Sequence, residues 1–404
     1  MQRVVVTGMG CVCPIGNTVQ EMWQGIERHR CGIGPITHFD AKDHKVKVAA
    51  EVKDLDTQAY FSPRDLKFND RFTQLARISA KQAMIDSQVS IKDPSRFGVL
   101  LGSGIGGIET ITSSAKRMMM HGPQRVSPYF IPMSLINLAA GQVAIDWHAQ
   151  GYCTSVVSAC AAGANAIGDA FHLIREGKQD VMLAGGTEAA ITSLAMAGFQ
   201  SMRALYTGSD PQRASIPFDA DRSGFVMGEG AGMLVLESYE HAKARQAKIY
   251  AEICGYGLRC DAHHITAPLE DGSGAALAMQ TALADARIHA SDIDYINAHG
   301  TSTPLNDKAE TKAIHTLFRN IAVSSTKSNM GHLLGASGAV ESIVCIEALL
   351  HQMIPATIHY QVYDPTCDLD IVPNENRKAT LNYVMTNSLG FGGHNVSLIF
   401  KKGE

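Results

Sequence analysis

The sequence is poor in charge. Lys, Arg, Asp and Glu make up 18% of the 404 residues, where about 25% is usual for a soluble domain. With 45% apolar residues, this implies a large core and an extensive subunit contact. Neither sign of charge dominates. The net charge is −4, which argues against a nucleic-acid-binding protein. No apolar run is expected to reach the length of a membrane span, so no membrane association is expected. A disulfide framework is also missing. The nine cysteines are odd in number and scattered, as expected in a reducing, cytoplasmic setting. Met1-Gln2-Arg3-Val4 shows no signal-peptide architecture.

What is present is an alternation of short apolar runs with three-and-four-spaced segments, the pattern of an α/β sheet with crossovers. Strands are expected at Arg3–Met9, Phe97–Leu101, Asp180–Ala184 and Gly230–Glu237. Helices are expected at Thr18–Arg28, with Thr18 and Glu21 spaced as a capping box, and at Arg71–Ser87, Leu135–Trp147 and Thr192–Ser201. Met118–Pro132 reads as a loop or broken helix. The pattern then restarts. Strands at Tyr250–Tyr256, Ile293–Asn297, Ala322–Ser325 and Val396–Lys401 echo the first series, with helices at Gly274–Ala286 and Ala336–His351. Two like halves follow, 1–245 and 246–404. At 404 residues the chain is too long for one ordinary core.

The stretch from Ser155 to Gly168 is the most informative. Thr154–Val157 reads as a buried strand, and from Cys160 on the apolar residues take helix spacing. Cys160 therefore opens a helix, where unpaired N–H groups and the helix dipole favour a thiolate nucleophile. Three other segments carry chemistry. His299-Gly300-Thr301-Ser302-Thr303 follows a strand, where open parallel sheets bind ligands, and His transfers protons near neutral pH. Lys327, His332 and Glu341 stand alone among small and apolar residues, and a buried Lys there needs Glu341 as partner. Gly390, Gly392 and Gly393 surround Phe391, giving a hinge with one bulky plug or a backbone N–H for a reacting oxygen. Two motifs are set aside. Gly102–Gly107 matches a dinucleotide fingerprint but lacks the acidic strand end that should follow. Cys254, Cys260 and His263 do not have zinc-site spacing.

Together, Ser158-Ala159-Cys160, His299-Gly300-Thr301-Ser302-Thr303-Pro304, Lys327-Ser328 with Gly331-His332, and Gly390-Phe391-Gly392-Gly393 resemble the beta-ketoacyl-[acyl-carrier-protein] synthases, most of all the synthase II type of fatty-acid synthesis. The resemblance runs along the whole chain. It implies a thiolase fold, a duplicated five-layer αβαβα arrangement, in a cytoplasmic homodimer. It implies decarboxylative condensation of an acyl group on Cys160 with malonyl-[acyl-carrier protein], without metal or redox cofactor. It makes Cys160 the nucleophile, His299 and His332 the catalytic histidines, Lys327 the active-site lysine and Glu341 the carboxylate fixing it in the substrate-binding region. Phe391 becomes the gate, whose N–H joins that of Cys160 in an oxyanion hole. Thr301 and Thr303 match positions that contact pantetheine; Ile105, Phe130 and Phe199 match acyl-pocket positions. Arg64, Lys67, Arg125 and Arg203 match positions near the carrier-protein surface. His394, Asn329-Met330 and Ser158 depart from the commonest family residues without removing a catalytic group. The rival readings are a polyketide-type ketosynthase and a thiolase-like coenzyme A enzyme.

Overall fold

The computed structural model describes residues 1–403. The first half contributes strands β1 (Val4–Val12), β2 (Phe97–Gly102), β3 (Cys153–Val156), β4 (Val181–Glu188) and β5 (Gly230–Ser238). Its main helices are α1 (Val19–Glu27), α2 (Arg71–Ser87), α3 (Ile108–His121), α4 (Asn137–Trp147), α5 (Ala162–Arg175) and α6 (Ser193–Ser201). The second half contributes β6 (Ala251–Cys260), β7 (Tyr295–Asn297), β8 (Ala322–Ser324), β9 (Tyr383–Gly390) and β10 (His394–Lys402). Its main helices are α7 (Ser273–Ala286), α8 (Pro304–Leu317) and α9 (Ser337–His351).

The strands form one sheet in the order β8-β7-β9-β10-β6-β1-β5-β4-β2-β3. The order is symmetric about its middle. In each half two parallel neighbours lie outermost (β2 with β3, β7 with β8), and the inner three are antiparallel. The halves join through a short antiparallel ladder, Val4–Val6 against Ala251–Ile253.

Strand β4 is buried along its whole length, which requires cover on both sheet faces. Helices α5 and α9 lie between the half-sheets and touch strands of both. Helices α2 and α4 cover the outer face of the first half, and α7, backed by α8, that of the second. The result is five layers, with the largest apolar cluster around α5 and α9. Their approach is close: a Cβ on Gly338 would meet the Ala164 Cβ at 2.6 Å.

Three details differ from the sequence expectation, and a fourth settles an open alternative. Leu334–His351 is long and apolar enough to pass for a membrane span, yet 89% of it is buried inside the fold. Strand β3 is not buried: Cys153 is exposed and Val157 is 57% exposed. It is the outermost strand, with one neighbour only. Helix α3 continues through the methionines to His121, and a further turn forms at Phe130–Ser134, so the segment is a broken helix. At α1 the Thr18 side chain accepts from the Glu21 N–H, but the Glu21 carboxylate takes the Asn17 N–H, one residue before the expected partner.

Candidate active site

Cys160 stands where β3 gives way to α5. Ala159, the residue before it, has φ +49°, an uncommon conformation for a residue with a side chain. A 3-10 turn, Ala159–Ala161, then leads into the helix. The backbone N–H groups of Phe391 and of Cys160 itself approach the sulfur. Burial pushes the thiol up to about 12, the Lys327 charge pulls it down, and the Glu188 charge raises it. This corrects the expectation of a resting thiolate. The backbone N–H groups of Phe391 and Cys160 and the Lys327 charge favour the thiolate, but removing the thiol from water is the larger effect.

His299 follows β7. Its N–H and that of Gly300 donate to the two oxygens of Glu310, each at 2.8 Å. The Thr301 N–H donates to Asp307 at 3.0 Å, and the Thr301 and Thr303 hydroxyls are hydrogen-bonded at 2.9 Å. Both carboxylates belong to the start of α8. Burial raises Asp307, and it pushes Glu310 up to about 7.

His332 is stitched to the first half of the chain. Its N–H donates to Val226 O at 2.7 Å, and Gly228 N–H donates to its carbonyl at 2.8 Å. Its Nδ1 lies 2.9 Å from the Ser337 hydroxyl. The two imidazole rings stand 5.2 Å apart at 85°. Burial holds both histidines well below the ordinary histidine pKa, and the nearby Lys327 charge adds to this. Both are therefore neutral at physiological pH. Lys327 is 1% exposed and ion-paired with Glu341. Burial raises Glu341, while Lys327 lowers it.

Phe391, Gly392 and Gly393 form the turn of the β9–β10 hairpin. Gly392 and Gly393 have φ of +88° and +75°, which glycine adopts without a Cβ penalty. The turn rests on the segment after β6. Gly392 N–H donates to Ile265 O at 2.7 Å, Asp261 N–H to Gly393 O at 2.9 Å, and Asn395 Nδ2 to Asp261 Oδ1 at 2.6 Å.

A cavity of about 580 Å³ brings together Cys160, His299, His332, Thr301, Thr303, Phe199 and Phe391, with Arg203 at its wall. Three expected substrate-binding residues do not line it. Glu341 is spent on Lys327 and is 2% exposed. Ile105 is half-buried and packs into the apolar cluster that contains Cys160. Phe130, half-buried on the short Phe130–Ser134 helical turn, is not among the residues that line the cavity. Arg64 and Lys67 lie on the Pro63–Phe68 turn and Arg125 on Pro123–Arg125, all exposed. These two regions meet through the Phe68 and Tyr129 rings, 4.0 Å apart.

Two family descriptions match this chain: beta-ketoacyl synthase, N-terminal domain, over residues 1–242, and beta-ketoacyl synthase, C-terminal domain, over residues 250–361. The chain belongs to the beta-ketoacyl synthase family. It is 50% identical over 408 residues to the 3-oxoacyl-[acyl-carrier-protein] synthase 2 of Synechocystis sp., covering 99% of this chain and 98% of the relative. It is 49% identical over 409 residues to the protein of the same name from Staphylococcus aureus, covering 100% and 99%. A solved beta-ketoacyl synthase from Burkholderia phymatum superposes with a TM-score of 0.93 at 37% identity, covering both chains fully. A type II PKS ketosynthase, solved in complex with its acyl-carrier protein, superposes with a TM-score of 0.92 at 33% identity, again over both full chains. The thiolase-like architecture of this condensing-enzyme family accords with the five layers described above.

Glu188, Glu310, Asp307 and Asp261 are not singled out by the sequence, whereas Asn395 closes the Leu389–Asn395 loop expected as the gate. Asp307 and Glu310 carry a faint signal, since two carboxylates three apart open a helix that follows the His299 loop. Glu188 and Asp261 become neighbours of the site only through strand pairing.

Proposed function

We propose that the protein is a 3-oxoacyl-[acyl-carrier-protein] synthase of fatty-acid chain elongation. The observation that carries this reading is the convergence of one cysteine, two neutral histidines and two backbone N–H groups on a single cavity. In the first half-reaction Cys160 sulfur attacks the thioester carbonyl of an acyl chain on carrier-protein pantetheine. The Phe391 and Cys160 N–H groups hold the oxyanion. The acyl group moves to sulfur, and the thiol proton leaves with the departing pantetheine thiol.

In the second half-reaction malonyl-[acyl-carrier protein] loses its carboxylate as carbon dioxide, and enolate charge develops on the thioester oxygen. A neutral imidazole donates from one nitrogen only. With the Ser337 hydroxyl donating to His332 Nδ1, the ring proton sits on Nε2, ready for that oxygen. His299 supplies the second donor. The carbanion attacks the acyl-Cys160 thioester and expels the Cys160 thiolate, which takes up one proton from solvent, giving 3-oxoacyl-carrier protein and the resting thiol. Burial keeps both histidines neutral, and the charge of Lys327, held by Glu341, adds to this. Thr301 and Thr303 receive the pantetheine arm, Phe199 borders the acyl chain in the cavity, and Ile105 packs behind it in the apolar cluster around Cys160. No step calls for a metal or redox cofactor.

The partners in this reading are acyl carrier protein, docked on Arg64, Lys67, Arg125 and Arg203, and a second copy of the chain. A homodimer is supported by the one-sided edge strand β3 and by the exposed Ile131, Leu135, Ile145 and Val157. The reading takes 1–245 and 246–404 as the two structural units and places the protein in the cytoplasm. A thiolase-type reaction is disfavoured because Cys160 is the one cysteine lining the cavity. Identity near 50% to fatty-acid-type synthases against 33% to the polyketide ketosynthase favours elongation. Incubation with an acyl- and a malonyl-carrier protein should yield 3-oxoacyl-carrier protein and one carbon dioxide per product. Product without carbon dioxide release would contradict the reading.

A further inference from the structure

Glu188 is the last residue of β4, 0% exposed, and lies outside the catalytic set. Its carboxylate is saturated with donors. Oε1 accepts from the Ser103 hydroxyl at 2.9 Å and from the Ile105 and Gly106 N–H groups, each at 3.2 Å. Oε2 accepts from the Gly104 N–H at 2.7 Å and the Gly335 N–H at 3.1 Å. Four of the five neighbours are backbone N–H groups, which can only donate and so favour the ionised form, while burial raises the carboxyl pKa and Ser103 Oγ alone could accept a carboxyl proton. Two loops from opposite halves of the chain thus end on one side chain. The first, after β2, carries Ile105. The second runs from His332 into α9 and carries Leu334. Ile105 and Leu334 pack in the same apolar cluster as Cys160. The approach is tight on both sides, since a Cβ on Gly104 or Gly335 would come within 2.9 or 2.8 Å of Oε2.

We propose that Glu188 is a positioning residue of the condensing site: it ties the Ile105 and Leu334 loops together into one apolar wall behind Cys160, outside the open cavity, against which the acyl chain packs, and it sets a carboxylate close to that cysteine. The proposal rests on Cys160 being the acyl-bearing residue. A Cβ on Gly104 would lie 2.9 Å from Glu188 Oε2 and 3.5 Å from the Ala159 carbonyl, so the carboxylate stands close to the residue that precedes Cys160; His299 and His332 line the cavity with that cysteine, and the Lys327 charge also reaches it. With both histidines neutral, Lys327 and Glu188 act in opposition, the lysine favouring the thiolate and Glu188 the thiol. A buried thiol that stays protonated until a substrate arrives is protected from adventitious alkylation and oxidation.

The test uses full-length Glu188→Gln, Glu188→Asp and Ser103→Ala. Two readouts are compared: the pH profile of Cys160 alkylation by iodoacetamide, which needs no substrate, and kcat/KM for short against long acyl chains. Glu188→Gln removes the charge, so the alkylation profile should move down by about one pH unit, making the reaction roughly tenfold faster below the thiol pKa. Glu188→Asp keeps the charge but is too short to hold both loops. It should restore the wild-type alkylation profile while the acyl-length preference shifts several-fold. Ser103→Ala frees one end of the Ile105 loop and should behave likewise. A carboxylate with a purely structural role would lower the melting temperature in all three and move neither readout. An unmoved alkylation profile in Glu188→Gln overturns the charge role. Unmoved acyl preference in Glu188→Asp and Ser103→Ala overturns the wall, and these two variants decide if Glu188→Gln does not fold. Acyl labelling of wild-type Cys160 separately tests the reading on which the proposal rests.

Discussion

His299 and His332 face each other across the cavity with ring centres 5.2 Å apart at 85°, both kept neutral by burial and by Lys327. Such a pair suits donation to a developing enolate better than transfer of a full charge. Each half of the chain supplies part of its surroundings: α8 carboxylates hold the His299 loop, while Val226 and Gly228 hold His332.

Substituting either histidine should impair decarboxylation more than acyl transfer. Loss of one donor to a developing oxyanion costs ~10²–10³-fold. Separate assays of Cys160 acylation and of carbon dioxide release on His299→Ala and His332→Ala decide this. Equal losses in both half-reactions for both variants would refute the division of roles.

The depressed histidines also set a pH response. Below the unfolded histidine pKa of about 6.5, the unfolded chain takes up protons that the folded chain resists. Stability should therefore fall as pH drops through that value toward the lower folded pKa. Decarboxylation should persist below pH 6.5, because its donors stay neutral there. Denaturant unfolding and carbon dioxide release followed from pH 8 to 5 check both. An activity loss centred on 6.5 would mean the rings are not shielded as described.

Lys327 is expected to matter twice. Lys327→Met leaves Glu341 buried without its partner, which costs about 3–5 kcal/mol. The double variant with Glu341→Gln should recover much of this. In both, alkylation of Cys160 should slow, because the charge that lowers the thiol pKa is gone. Faster alkylation would contradict the assignment of that charge.

The Phe391 turn is expected to gate the cavity. Asp261 and Asn395 hold it to the segment after β6, so Asp261→Ala should loosen it and weaken the order of substrate entry without unfolding the protein. Phe391→Ala should slow condensation. Structures of the free and acylated enzyme with Phe391 in one unchanged position, together with full rate in Phe391→Ala, would reduce the loop to a plain hairpin turn.

The carrier-protein surface is tested at the cavity wall. Arg203→Glu should raise KM for carrier-bound substrate, spare small thioesters and flatten the salt dependence. An unchanged KM would remove Arg203 from that surface.

Much of this was legible in the chain. Strand and helix alternation, and its restart near Tyr250, reflect local periodicity, and they anticipated the symmetric sheet. Cys160, His299, Lys327, His332 and Phe391 were visible as chemistry-bearing residues in small-residue surroundings. What local pattern cannot carry is depth. The helix start predicted an acidic thiol at Cys160, but the five layers above and below it decide otherwise. The run into His351 was not recognised as span-like, and its burial between half-sheets could not be read from its sequence. Strand β3 looked like a core strand because its residues are β-branched, yet its place at the sheet edge is a topological fact. Glu188 was silent for a similar reason. An acid ending a strand reads as solvent-facing until parallel pairing with β2 sets the Ser103 hydroxyl and the Gly104–Gly106 amides against it.

The central claim is that Cys160 alone receives the acyl group and passes it to a malonyl-derived carbanion. Peptide mass spectrometry after incubation with acyl-carrier protein tests it most directly, followed by addition of malonyl-carrier protein. A stoichiometric acyl adduct on Cys160 among the nine cysteines is expected, discharged together with carbon dioxide when malonyl-carrier protein is added. A dominant adduct elsewhere, at Cys254 for example, or an adduct on Cys160 that malonyl-carrier protein leaves in place, would contradict it.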